Sequence, residues 1–450
     1  MVNYQTRKIM NLRVKIITFI LFLFSFYFQF LSAQPLEFIC YQLENGLKIY
    51  YQNDLQARYT TLLFVFYGGQ GKDPAGKNGL SYLTARLLAE IADEDRLAEL
   101  IAAGVNIKAG SNYDFSFVQF DFPTEKLEKV LRLAVANLNQ PIFSTARIEG
   151  IKKAFISEIM LEKSRLFDSA VLGLKKKIFA GSPYSFSLFG DENNLKAISK
   201  KDINKFYQNL FKPDKFCLIV ISDMEKEKII SFFKNYENDL KILSTKATPQ
   251  ETLSSAVSSA FNNSTENTSL LYNCGYQGPP GTAVLLAYTF PDPIDKNYPL
   301  AYITQAIIGG YPGSILWTLR QENAISYNPQ CYLEIIGGKL VFYVYLETDL
   351  QPASAALDGL REIFRCLGQN GLKNEEIETA KLMAKNLFQR QSFSRDYRLN
   401  QLALFLANNL PLEFYNQFCL KIDGIKPSDV NEFLHSIFKM PAIEVVISSN

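Results

Sequence analysis

The chain has 450 residues, more than one hydrophobic core usually serves, so its length predicts two domains. Hydrophobic residues make up 48% and charged residues 20%, which excludes wholesale disorder, and 47 Lys plus Arg against 45 Asp plus Glu give no basis for nucleic-acid binding. A single histidine, His435, excludes any metal site built on two histidines.

Arg7, Lys8, Arg13 and Lys15 precede an apolar run, Ile16 to Leu31, and the small residues Ser32 and Ala33. This order predicts a secretory signal peptide over 1–33, cut after Ala33, with an uncleaved anchor as the alternative that a run shorter than the ~20 residues of a comfortable membrane span disfavours. Its four basic residues face no acidic one, so cleavage takes the net charge from +2 to −2. Strands are predicted at Leu47–Tyr51 and Thr60–Tyr67, read as a pair. Gly68-Gly69-Gln70-Gly71-Lys72 superficially suggests a phosphate loop, but Asp73 stands where Ser or Thr is needed, so a strand-to-helix connection is expected. Asp93-Glu94-Asp95 reads as a helix cap.

An amphipathic helix follows from Leu127 to Leu138, then Pro141 and a second helix from Thr145. Residues 198–212 form another helix opened by Ser199 and stopped by Pro213, running into a buried strand, Cys217–Ser222. Ser244 to Ser269 is dense in Ser, Thr, Asn and Ala and reads as a linker. Beyond it come strands at Ala283–Phe290 and Lys339–Glu347, a helix from Ala353 to Leu367, a helix from Asn374, a helix opened by Pro427, and a strand at Glu444–Ser448. The mixture of hairpin-like strands and helices predicts an α+β fold. The expected division is 34–243, linker 244–269, and 270–450.

The two halves repeat. ISKKDINKFYQNLFK (198–212) and IKPSDVNEFLHSIFK (425–439) are identical at Ile198/Ile425, Asp202/Asp429, Asn204/Asn431, Phe206/Phe433, Phe211/Phe438 and Lys212/Lys439. Chance gives about one such identity in fifteen positions, so the chain reads as a tandem duplication. The six cysteines are scattered without a C-x-x-C pair, which removes zinc-ribbon and redox readings, and most are expected to be buried thiols. His435 has no acid or hydroxyl partner in sequence and reads as a partly buried structural residue.

Glu44-Asn45-Gly46-Leu47, a strand ending in Gly68-Gly69, and Gly79-Leu80-Ser81 opening a helix resemble the start of a domain of the pitrilysin/insulinase (M16) metallopeptidase family. Pro183-Tyr184, Gly190 and the 198–212 segment resemble the end of that domain. Ile308-Gly309-Gly310, Ser314, Leu319-Arg320 and Ser326-Tyr327 resemble the family's second domain. The resemblance covers essentially all of 34–450. It implies two homologous domains, each a mostly antiparallel sheet packed with helices, together forming one half of a clam-shell.

Family members that cut peptides begin the first helix with Gly-Leu-Ala-His-x-x-Glu-His. Here Tyr82 and Arg86 stand at the two zinc-binding histidines and Ala85 at the glutamate that activates water. Glu158 matches the family's distal glutamate ligand. A guanidinium cannot ligate zinc, and one carboxylate alone would hold it poorly, so this chain is expected to bind no metal and to catalyse nothing alone. Arg320 and Tyr327 match the family's substrate-positioning pair. Two such donors aimed at a developing oxyanion contribute several kcal/mol in acyl-transfer sites.

The resemblance therefore implies a non-catalytic subunit, similar to one chain of certain bacterial heterodimers in the family. It would pair with a zinc-bearing M16 chain in the periplasm or cell envelope. There it would supply Arg320 and Tyr327 in trans to hydrolysis of a peptide or unfolded polypeptide. The alternative expectation is a stand-alone peptide-binding or structural scaffold protein of the envelope.

Overall fold

Segments such as YTTLLFVFY (59–67) and TAVLLAYTF (282–290) are buried on both faces, so each must lie in a sheet covered on both sides. The computed structural model describes residues 37–55, 58–210, 215–236, 270–271, 276–290, 293–309, 312–318, 329–348 and 353–448. The expected leader 1–33, the expected linker 244–269, Pro213 and Cys274 lie outside the described residues.

The strands form two sheets. The first contains β1 (Ile39–Gln42), β2 (Lys48–Asn53), β3 (Tyr59–Tyr67), β4 (Asn106–Ser111), β5 (Phe115–Pro123) and β6 (Phe216–Ser222) in the order β1-β2-β6-β3-β5-β4. The second contains β7 (Leu270–Leu271), β8 (Thr282–Phe290), β9 (Gln330–Ile336), β10 (Lys339–Thr348) and β11 (Ile443–Ser448) in the order β7-β11-β8-β10-β9. With β1 set aside the two orders are the same. The matching pairs are parallel in both sheets (β2 with β6, β7 with β11) and every other pair is antiparallel. The α+β expectation and the repeat are thus visible in topology.

One predicted pairing is corrected. Leu47–Tyr51 and Thr60–Tyr67 are not partners, because β6 lies between β2 and β3. The chain leaves β3, builds a hairpin and several helices, and returns to fill the gap. Ala283–Phe290 and Lys339–Glu347 do pair, with Tyr343 opposite Ala287.

Successive side chains of a strand point to opposite faces, so each sheet feeds two cores. One face of the first sheet carries Leu62, Phe64, Val118, Phe120 and Leu218 beneath its own helices. Its other face carries Leu63, Val65, Ile219 and Ile221 and joins the core of the second half. Helix Leu166–Ile178, from the first half, lays Leu166, Ala170 and Leu174 on the second sheet against β8 and β11. Helix Arg395–Ala407, from the second half, packs on β3, β5 and β6 of the first sheet. Each half covers a face of the other.

Two buried lysines repeat with the fold. Lys152 pairs with Glu149 at 2.9 Å and donates to the Ile198 carbonyl at 2.8 Å. Lys381 pairs with Glu378 at 3.1 Å and donates to the Ile425 carbonyl at 2.8 Å. Ile198 and Ile425 are the first identical pair of the repeat, just ahead of helices Lys200–Leu210 and Pro427–Phe438. Asp202 and Asp429 cap those helices alike, accepting from the backbone N–H three residues earlier.

Polar ties join the halves. Buried Asp54 receives hydrogen bonds from Arg395 (Nε, 3.0 Å) and from Arg398, and the Arg395 guanidinium lies 3.9 Å from the centre of the Tyr59 ring. Asp114 accepts from the Tyr184 hydroxyl (2.9 Å), the Gly337 N–H (3.1 Å) and the Asn408 amide (3.3 Å). Burial pushes its carboxyl up to about 6, against those donors.

Candidate functional site

Helix Leu80–Ala89 packs on β4 and β5, and its N-terminus is fixed by a buried acid. The Asp73 carboxylate accepts from the backbone N–H groups of Gly79 and Ser81, each at 2.7 Å, satisfying donors that the first helical turn leaves open. Burial pushes this carboxyl up to about 7, the two backbone donors opposing the shift. Gly79 is left-handed (φ +94°), and a Cβ there would lie 2.4 Å from the Phe189 carbonyl oxygen. A Cβ on Gly190 would lie 2.1 Å from the Asn78 carbonyl oxygen. Two backbones therefore touch at these glycines, and the contact sets Phe189 against the helix.

Tyr82 lies between Phe189 and Phe155. Its ring centre is 5.0 Å from each, stacked on the first at 19° and tilted on the second at 54°. Phe155 and Phe189 meet edge-on at 5.2 Å. Burial pushes the Tyr82 phenol above its ordinary value; Arg86 opposes this, while Glu158 and Glu162 add to it. Ala85 is completely buried, so only a methyl group stands at the position that the resemblance gives to a water-activating acid. Arg86, one turn after Tyr82, is half-buried, and Glu158, on helix Thr145–Lys163, is exposed. The structure thus gathers Tyr82, Arg86 and Glu158 on one spot beside Ala85.

These donors do not fit zinc. The arginine is a permanent cation, the tyrosine is held away from its phenolate form, and the alanine offers no donor atom, which leaves a single carboxylate. Among the described residues no group of three or more His, Cys, Asp or Glu side chains could hold a metal. Arg320 and Tyr327 lie outside the described residues.

Sequence reasoning missed a buried layer under this spot. Lys175 donates to the Phe186 carbonyl at 2.7 Å and lies 4.7 Å from the centre of the Tyr113 ring. Burial lowers its ammonium to about 8, with Glu334 and Glu162 opposing. Burial raises Glu162, against the Ser187 hydroxyl and Lys175. In sequence Lys175 belongs to a run of three lysines with nothing to mark one of them as buried. Only the fold shows that helix Leu166–Ile178 turns this one inward.

A polar cleft of about 320 Å³ lies elsewhere, between Tyr59, Lys108, Asp121 and the start of helix Arg395–Ala407. Its charges are satisfied internally, Lys108 by Asp396 at 2.8 Å and Arg395 by Asp54, which makes it a structural ion network. His435 is exposed rather than partly buried, and its Nδ1 contacts the Gly368 carbonyl oxygen at 2.7 Å. Of the five described cysteines, all free, only Cys217 is buried, fewer than the sequence led one to expect. Gln70–Lys72 is a 3-10 turn joining strand to helix, and Asp93 caps helix Glu94–Ala102 through the Arg96 N–H at 3.0 Å, both as expected.

Residues 197–383 match the family model described as "Peptidase M16 inactive domain". The chain is 21% identical over 309 residues to a protein of Bacillus subtilis (strain 168) named "Probable inactive metalloprotease YmfF". That match covers 62% of this chain and 66% of the relative, just short of two thirds of its length. The crystal structure of a peptidase M16 inactive domain from Pseudomonas fluorescens superposes with a TM-score of 0.77 at 17% identity, over 92% of this chain and 98% of that one. The periplasmic protease PqqL from Escherichia coli gives 0.68 at 12% identity, over 92% of this chain and 46% of PqqL. These likenesses show a shared fold, and this chain spans less than half of PqqL.

Proposed function

This chain is a homologue of the M16 peptidases without their zinc motif, and from that premise we propose that it is a non-catalytic subunit of a heterodimeric peptidase. The observation that carries the reading is the helix Leu80–Ala89. The fold around it is kept, while Tyr82, Ala85 and Arg86 leave nothing to bind zinc or activate water. A zinc-bearing M16 partner would supply the metal, and this chain would contribute Arg320 and Tyr327 to hold the peptide carbonyl under attack. The leader at 1–33 and the periplasmic location stated for PqqL favour the cell envelope. Among the described residues no helix is long and apolar enough to cross a membrane.

The test is affinity purification of the tagged full-length chain from its native cells, with intact masses and zinc content read on what accompanies it. A one-to-one complex with a related chain carrying one zinc is expected, and Arg320→Ala or Tyr327→Phe should then abolish most of its peptide turnover. Recovery as a zinc-free monomer or homodimer would overturn the pairing and leave the stand-alone peptide-binding shell in its place.

A further inference from the structure

The spot formed by Tyr82, Arg86 and Glu158 holds three polar groups that make no hydrogen bond or ion pair among the described residues. Among the described residues Arg86 is the one arginine that is not fully exposed and yet makes no ion pair. Arg96, Arg147, Arg395 and Arg398 all have acidic partners, while the unpaired Arg58 and Arg390 are exposed. Arg86 and Glu158 both act on the Tyr82 phenol, yet they form no ion pair with each other. The hydroxyl of Tyr82 makes no hydrogen bond to any described residue, although its ring is clamped by Phe155 and Phe189.

A half-buried guanidinium with no counter-ion is an unspent binding element, because its planar fork matches a carboxylate in a bidentate pair. The neighbouring phenol adds a second donor to the same anion, and the clamped ring holds that donor in place at little entropic cost. Glu158, set apart from Arg86, is free to accept an amide N–H of the same ligand. We propose that this spot is a receptor for a carboxylate of a bound peptide, the fixed charge of Arg86 taking the anion. The carboxylate can come from a chain terminus or from an acidic side chain. The proposal rests on the peptide-handling reading above and deepens it by assigning the ligand's chemistry.

The test uses the full-length chain in the form recovered from its cells, with fluorescence anisotropy of three labelled peptides. One has a free C-terminal carboxylate, the second is the same peptide amidated, and the third is the amidated peptide with one Gln replaced by Glu. The free-acid peptide is expected to bind about 10-fold or more tightly than the amide, a preference weakened by salt and lost in Arg86→Gln. Arg86→Lys should retain part of it, since the charge remains but the fork does not. Tight binding of the third peptide would identify a side-chain carboxylate as the source. Equal binding of all three by the unmodified chain overturns this inference while leaving peptide holding intact. Binding of none overturns both. The comparison among peptides needs no variant, so it stands even if Arg86→Gln fails to fold.

Discussion

The two copies of the repeat differ most in the helix that follows their central strand. In the first half, helix Leu80–Ala89 keeps Tyr82 and Arg86 partly open. In the second, helix Ile294–Ile308 buries Tyr298, Pro299, Ala301, Tyr302 and Ile303. The Tyr298 ring alone meets Tyr302, Phe405, Phe414 and Phe418. The cover comes mainly from helix Asn374–Gln391, with Pro427–Phe438 and Phe418–Gly424 beside it and Phe405 of helix Arg395–Ala407 on the Tyr298 ring. Ahead of helix Lys200–Leu210 the first half has the turn Pro183–Ser185 and the short helix Glu192–Ala197, where the second has helices Leu412–Asn416 and Phe418–Gly424. Duplication preserved the sheet, while the helices packed around it differ between the copies. A helix that stays partly open in one half is core in the other.

This comparison can be broken at several places. The largest effect is expected at the junction of the halves. Asp54→Ala leaves Arg395 and Arg398 buried without their acid and should cost about 3–5 kcal/mol, read as a lowered urea midpoint. A loss of under about 1 kcal/mol would show that the tie does not hold the halves together. Next come the repeated lysines. Lys152→Met and Lys381→Met each remove a charged donor from a buried carbonyl and should each cost about 2–3 kcal/mol. Clearly unequal losses would mean that the copies no longer share this support.

The pH dependence is smaller. Asp73 and Asp114 are held up at about 7 and about 6, against an ordinary 3.8, so the folded chain keeps protons that the unfolded chain has released. Their contribution is least favourable above pH 7, improves as pH falls through 7 and 6, and levels off near the ordinary carboxylate value. The gain is at most about 1.4 kcal/mol per pH unit for each group. Lys175, lowered to about 8, acts only above that pH, where it raises stability as pH rises. Thermal midpoints should therefore climb on acidification from about pH 7.5 to 5.5, and Asp73→Asn should flatten the slope. A wild-type profile that is flat there would contradict the burial of both acids.

The smallest effect separates open from closed face directly. Tyr298→Phe removes a buried acceptor that takes the Gln401 amide at 3.2 Å and should cost about 1 kcal/mol. Tyr82→Phe removes a hydroxyl with no hydrogen-bond partner among the described residues and should cost about 0.5 kcal/mol or less. Equal losses would erase the distinction between the two helices.

Most secondary structure could be read from the chain, because apolar spacing and caps are local. Ser199, Pro427 and Asp93 open their helices as their chemistry requires, and the repeat at 198–212 and 425–439 was visible from six shared residues. The candidate site was partly legible. Tyr82, Arg86 and Glu158 do converge, but their platform, Phe155 and Phe189, carries no mark in sequence that separates it from core aromatics. The pairing of β2 with β3 failed because adjacency in sequence says nothing about a strand that arrives some 150 residues later to part them. Lys152 and Lys381 escaped notice because a lysine on a helix ordinarily faces water.

The sequence by itself determined the α+β class, the duplication, and the poor metal-binding chemistry of Tyr82, Ala85 and Arg86 at the positions the resemblance gives to a zinc motif, since composition, periodicity and donor chemistry belong to residues rather than to their neighbours. Only the tertiary structure decided that each half lends a helix to the other's sheet. Leu166–Ile178 and Arg395–Ala407 are both helices with apolar surface to bury, and hydrophobic burial is non-directional. Either sheet could have taken either helix. The choice came from shape and from specific polar ties, Asp54 to Arg395 and Asp114 to Gly337, which exist only once both halves are folded together.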